Sequence, residues 1–136
     1  MEISHILSEA GLRPSPVRIL VARAIAGAGR PVSSLELERA LETVDRSSIT
    51  RTLVLFSSKG LVHSVDDGSG SVKYELCRHF GEEHDADLHP HFHCLSCGRT
   101  FCLDSEPIPP VALPEGFEAS SANYVIKGLC PSCRKK

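Results

Sequence analysis

The chain has no run of apolar residues approaching the roughly 20 that a membrane-crossing helix requires. Its N-terminus lacks the basic-then-apolar layout of a secretory signal, so the cytoplasm is the expected compartment and no membrane partner is expected. Net charge is almost absent too, at −2, which does not by itself suggest a nucleic-acid binder. One catalytic signature is also missing. Zinc deaminases pair His-x-Glu with Pro-Cys-x-x-Cys. No His-x-Glu occurs here, and His93 and Leu129 stand where the proline should precede each Cys-x-x-Cys pair. A zinc hydrolase or deaminase is therefore the weaker alternative, and no enzymatic activity is expected.

What the chain does contain is enough apolar material for a core. It has 136 residues, 41% of them hydrophobic, which suits one domain or two small ones. The charge is unevenly spread. Residues 1–62 have eight Lys/Arg against six Asp/Glu, a balance of +2, and the remainder has a balance of −4. The basic first half permits contact with DNA, and the acidic second half holds most of the candidate metal ligands.

Six cysteines and seven histidines give the sequence its chemistry. Cys94-x-x-Cys97 and Cys130-x-x-Cys133 are two identical knuckles, the spacing that supplies four thiolates to a closed, tetrahedral structural zinc site. In a reducing compartment such pairs favour metal over disulfides. His89 and His91 have the i, i+2 spacing that sends two rings to one face of an extended segment, and His93 continues it. A second metal site is the expectation for them.

In chain order, Ile3, Ile6, Leu7 and Ala10 have helical spacing, ended by Gly11. Ser15 caps a second helix with Pro16 at its first position, where the missing N–H costs nothing, and Val17, Leu20, Val21, Ala24 and Ile25 form its stripe. Ser33 and Glu36 have the spacing of a capping box at the head of a third helix, with Leu37, Ala40 and Leu41 apolar. Asp45 caps a fourth, Arg46 to Lys59, which buries Ile49, Leu53 and Phe56 and stops at Gly60. Leu61 to Leu76, turning at Asp66-Asp67-Gly68-Ser69-Gly70, reads as a β-hairpin.

That order predicts a winged helix-turn-helix, in which the fourth helix is offered to the major groove. Arg46, Ser47, Thr50 and Arg51 lie near its N-terminus away from the apolar face, where arginines and short polar side chains suit phosphate and base-edge contact. The whole is α+β: a winged-helix domain over residues 1–78, a connecting loop over 79–88 with His79 and His84 in solvent, and a small α/β domain with a four-cysteine zinc site over 89–136.

These residues together resemble the ferric uptake regulator (Fur) family of metal-dependent repressors. Gly11-Leu12-Arg13 with Ser15 and Arg18 is similar to its opening motif, and Ser47-Ser48-Ile49-Thr50-Arg51-Thr52-Leu53 to its recognition helix. Gly60-Leu61-Val62 resembles the turn into its wing, His89-x-His91-x-x-Cys94-x-x-Cys97-Gly98 its metal motif, and Cys130/Cys133 its terminal knuckle. Thr50 stands where the family usually has tyrosine. The proline-rich link Glu106 to Gly116 replaces a family helix, and Phe117 to Leu129 is left to supply the last strands.

The resemblance implies a homodimer joined through residues 89–136, a shortened α/β dimerisation domain, with an operator DNA partner and DNA contacts that include Arg13 and Arg18. It also implies a regulatory ligand set of His63, Cys77, His89 and His91 beside the structural zinc. The sulfur of Cys77 tilts that set toward Zn2+ and hence toward a zinc-uptake regulator, with Fe2+ or Mn2+ as alternatives. Cys102, Glu75 and Asp104 are the alternate ligands, and with Glu75 and Asp104 an iron-based peroxide sensor is the rival on the same fold. Ligands drawn from both halves would let the metal fix how the winged helices sit.

Overall fold

The computed structural model describes residues 2–76, 90–103, 106, 109, 111–120 and 122–135. The first helix, α1 (Ile3–Glu9), is followed by α2 (Pro16–Ala28), a two-residue strand β1 (Val32–Ser33), α3 (Ser34–Ala40) and α4 (Arg46–Ser58). The hairpin β2 (Val62–Val65) and β3 (Lys73–Leu76) completes a winged helix. The second half comprises β4 (His91–Cys94), β5 (Thr100–Cys102), β6 (Val125–Gly128) and the short α5 (Pro131–Arg134). None of the described helices is long and apolar enough to cross a membrane.

The helix starts obey local chemistry. Ser15 accepts the backbone N–H of Arg18 with Pro16 at the first helical position, and Asp45 accepts that of Ser48. At α3 the box closes in both directions: Glu36 N–H donates to Ser33 Oγ at 3.1 Å, and Ser33 N–H donates to Glu36 Oε1 at 3.2 Å. Helix α2 ends at Gly29 with φ 68°, a left-handed conformation in which a Cβ would be strained.

One core holds the winged helix together. Leu7, Val21, Ile25, Leu37, Ile49, Leu53, Phe56, Leu61 and Val62 are all buried in it. Two residues expected in it are not. Leu20 is 38% exposed, and Ala40 lies at the exposed end of α3, because each helix is covered along a narrower stripe than its apolar sequence suggests. Strand β1 was not expected. It pairs antiparallel with β3, Val32 opposite Tyr74 and Ser33 opposite Lys73, so the sheet order is β1-β3-β2.

In the second sheet, ordered β5-β4-β6, β4 pairs antiparallel with β5 and parallel with β6. Between Phe117 and Leu129 the described residues form the single strand β6, where several strands were expected, and the proline-rich link contributes no helix among its described residues. The parallel pairing puts Cys94 opposite Gly128, which brings the terminal knuckle alongside the first.

Candidate metal centre

The sulfurs of Cys94, Cys97, Cys130 and Cys133 all lie within 4.8 Å of one another. Cys97 Sγ and Cys130 Sγ are 3.9 Å apart, against an edge of about 3.8 Å expected for a tetrahedron with zinc–sulfur bonds of about 2.3 Å. The first knuckle turns back through Gly98, whose φ is 77° and whose N–H reaches Cys94 O at 3.0 Å. The second opens α5, with Cys130 as the residue before its first turn and Cys133 within it.

The protein backbone prepares one thiolate in advance. The N–H groups of Cys97 and Cys130 donate to Cys94 Sγ at 3.4 and 3.5 Å and pull its pKa down to about 5. Cys133 is pushed the other way, to about 11. Its contact with Ser96 favours the thiolate, but sharing protons with Cys130, and burial, outweigh it. Four sulfurs in this space cannot all ionise without a cation among them, so the donor set fits a divalent thiophilic metal.

The second cluster lies where the two halves meet. Antiparallel pairing of β2 and β3 sets His63 opposite Glu75, and His91 arrives from β4. Glu75 Oε1 is 2.5 Å from His63 Nε2 and 2.9 Å from His91 Nε2. Glu75 and His91 are buried and His63 is half-buried. Burial alone would raise the Glu75 pKa, but hydrogen bonds and charge from His63 and His91 hold it well below the usual carboxylate range. These donor atoms also lie within 4.8 Å of one another, so two imidazoles and a carboxylate are gathered at ligand spacing.

Of the ligand set inferred from sequence, His63 and His91 are thus brought together, and Glu75, held there only as an alternate, sits between them. Cys77, His89 and Asp104 fall outside the described residues. Cys102 lies opposite His91 in the β4–β5 register, so its side chain shares that face of the sheet.

A further polar group was missed from sequence. Asp67, 1% exposed, accepts Lys73 Nζ at 2.8 Å and the Ser69 N–H at 2.9 Å, and Thr100 Oγ1 donates to it from the second sheet. His93 Nδ1 lies 3.1 Å from Thr100 Oγ1 and 3.3 Å from Asp67 Oδ2. Asp66-Asp67-Gly68 reads as an exposed turn in one dimension. The only cue was the alternation of Lys73 and Glu75, which places a lysine on the same strand face as a buried carboxylate.

On the winged helix, Ser47, Thr50 and Arg51 stand exposed on α4. Arg51 Nη2 donates to Ser48 Oγ at 3.3 Å, and Arg18 Nη1 to Arg13 O at 2.9 Å. Arg18, Ser48 and Arg51 line an open groove of about 350 Å³ between the starts of α2 and α4. Arg46 is turned aside, its Nε 2.8 Å from Glu38 Oε1, so it is presented less directly than its position suggests.

A winged helix with an exposed polar recognition face, joined through histidine and carboxylate to a four-cysteine knuckle, defines a metal-responsive DNA-binding regulator. The sequence profile of the ferric uptake regulator family matches residues 9–118, and the chain belongs to that family. It is accordingly a metal-binding, dimeric, DNA-binding transcriptional regulator and not an enzyme. The chain is 27% identical to the ferric uptake regulation protein of Synechococcus elongatus, over 95% of this chain and 90% of that one. It is 31% identical to the zinc uptake regulation protein of Mycobacterium tuberculosis, over 73% and 74% respectively. Among solved structures, it is similar in fold to a zinc uptake regulator complexed with zinc and DNA, with a TM-score of 0.65, 20% identity, and coverage of 97% of this chain and 90% of that one.

Asp67 yields a pH prediction. Burial would raise its pKa, yet hydrogen bonds from Lys73, Ser69 and Thr100 hold it below the ordinary carboxylate value. A depressed native pKa contributes stability that is present above the unfolded value, about 3.9, and is lost as pH falls through and below it. Urea midpoints measured from pH 7 down to about 2.5 should therefore fall more steeply for the wild type than for Asp67→Asn, which should start lower at pH 7. Parallel curves for the two proteins would contradict this.

Proposed function

We propose that this regulator senses zinc and represses zinc-uptake genes, with a homodimer of the chain binding operator DNA in the cytoplasm. The observation that supports it is the cluster at the junction of the halves: His63 and Glu75 come from the winged helix and His91 from the second sheet. The proposed organisation is a DNA-binding domain over 1–78, a link over 79–88, and a metal-binding dimerisation domain over 89–136.

Cys94, Cys97, Cys130 and Cys133 are assigned a structural Zn2+, since four thiolates leave no open position. The regulatory ion is assigned to His63, Glu75 and His91, completed from His89, Cys77 or Cys102. A metal held by these residues would supply positive charge at the carboxylate oxygen toward which both imidazole Nε2 atoms are turned. The protein's own residues would do the rest: with the ion bound, Glu75 and His91 would fix the angle between the halves, His63 would tie in β2, and α4 would be presented at a set orientation. Two imidazoles with a sulfur donor suit zinc, and the 31% identity to a zinc uptake regulation protein supports the same ion. The carboxylate at the centre of the cluster favours the second reading, an iron-responsive regulator, which the 27% identity to a ferric uptake regulation protein also supports.

Three measurements check this. Cys97→Ser should release the structural zinc and destabilise the second half, because binding free energy at such a site is folding free energy. An unchanged zinc content and melting temperature would remove the assignment. His63→Ala/His91→Ala should keep the four-cysteine zinc and the dimer, lose one metal ion per subunit, and lose the metal-dependent gain in operator affinity. Retention of both ions and of the response would place the sensor elsewhere, and a response to iron but not zinc in the wild type would favour the second reading. Arg51→Ala should weaken operator binding by about 1–3 kcal/mol with metal content unchanged. Equal affinity at every salt concentration would take α4 out of the interface.

A further inference from the structure

The junction between the halves is a ladder with two rungs. On β3, Lys73 and Glu75 alternate onto one buried face; on β4, His93 and His91 do the same; on β5, Thr100 and Cys102 lie opposite them. The Glu75 rung is the proposed metal site. The other rung contains no metal-ligand cluster among the described residues, and none of its buried side-chain nitrogens or oxygens lacks a hydrogen-bond partner.

Its bonding is closed. Lys73 has three N–H donors and three acceptors around it: Asp67 Oδ2 at 2.8 Å, Ser69 Oγ at 3.3 Å and Ser71 O at 3.3 Å. Asp67 Oδ1 takes the Ser69 N–H, and Oδ2 takes the Thr100 hydroxyl as well as Lys73. Thr100 Oγ1 in turn lies 3.1 Å from His93 Nδ1. Thr100 is wholly buried, and Asp67, Lys73 and His93 are 1%, 5% and 7% exposed. Around this centre the wing turn is tied down once more, and a lysine crowds it. Asn123 Nδ2 donates to Asp66 O at 2.7 Å, and the Lys127 ammonium sits over Gly68, 2.8 Å from where a Cβ would be.

We infer that Asp67, gripped by Thr100, is a metal-independent latch that docks the wing turn on the metal-binding sheet and so holds the regulatory ligands in register before the ion arrives. The inference rests on the regulatory role proposed for the Glu75 cluster. The latch and that cluster are formed in one and the same arrangement of the halves, so whatever populates the latch also populates the metal-competent state. A ligand whose competent state is only fractionally populated binds more weakly by that fraction. Thr100 and Asp67 are therefore positioning residues. They set the metal concentration at which the protein responds, not the DNA affinity of the loaded form.

The test uses the full chain with its four-cysteine zinc retained. Thr100→Val removes the cross-half hydroxyl while keeping shape and leaving the Asp67–Lys73 pair intact; Thr100→Ser restores the hydroxyl. Hydrogen exchange at the amides of residues 66–71, with the regulatory ion removed by mild chelation, should speed up in Thr100→Val and return toward wild type in Thr100→Ser. In zinc titrations of operator binding, Thr100→Val should need roughly tenfold more free zinc for its midpoint, the scale of one charge-assisted hydrogen bond, yet reach wild-type affinity at saturation. Unchanged exchange in Thr100→Val, or a lower affinity at saturating zinc with no midpoint shift, would overturn the latch. A wild type that ignores zinc while exchange still separates the variants would instead overturn the functional reading and leave the latch standing. Should Thr100→Val fold poorly, Asn123→Ala, at an exposed tie of the same turn, gives the same exchange readout in the same direction.

Discussion

Two imidazoles from different halves of the chain converge on one buried carboxylate, and the rest of the molecule can be understood as the means of putting Glu75 there. The hairpin register sets it opposite His63; the second sheet brings His91 to the same oxygen. Unpaired, a buried carboxylate would be expensive, and an opposing charge or hydrogen bond is what makes the position tolerable. The junction therefore exists only while its partners are all present, a property an apolar contact of similar area would not have.

The composition of the junction extends this. Of the eight buried polar or charged residues among those described, six belong to it: Asp67, Lys73, Glu75, His91, His93 and Thr100. Buried ion pairs gain little net stability over apolar packing, but breaking one partner is costly. Such an interface is sensitive to a change of charge at a single point, which suits a protein whose input is a cation. The winged helix, by contrast, is held by an apolar core of its own, so its shape does not depend on the charged junction.

Much of this was legible in the sequence where the determinants are local. The caps at Ser15, Ser33 and Asp45 lie within three residues of the N–H groups they satisfy, and a repeated Cys-x-x-Cys needs no tertiary knowledge to suggest zinc. What escaped depends on distant pairing. Strand β1 is two residues long and exists because β3 lies beside it, about forty positions away. Glu75 could be ranked above other acids only once the hairpin register put it opposite His63. Asp67 sits in a stretch whose composition says turn, and its burial is decided by Thr100, 33 residues on. Leu20 and Ala40 erred in the opposite sense, since helical spacing marks a stripe but not how wide a neighbour covers it.

Strand β3 has two working sides. Glu75 and Lys73 face the metal-binding sheet, while Tyr74 between them packs against the core of the winged helix and lines, with Thr50, Val54 and Ser57, a groove along α4. Consecutive residues of one strand thus touch the cluster of Glu75 and the groove beside α4. The same strand holds β1, whose Ser33 caps the helix packed behind α4. If the proposed regulatory ion and the proposed DNA-reading helix are as assigned, the path between them is the thickness of a single pleat. A rotation of β3 about its own axis would then reach α4 through Tyr74 alone.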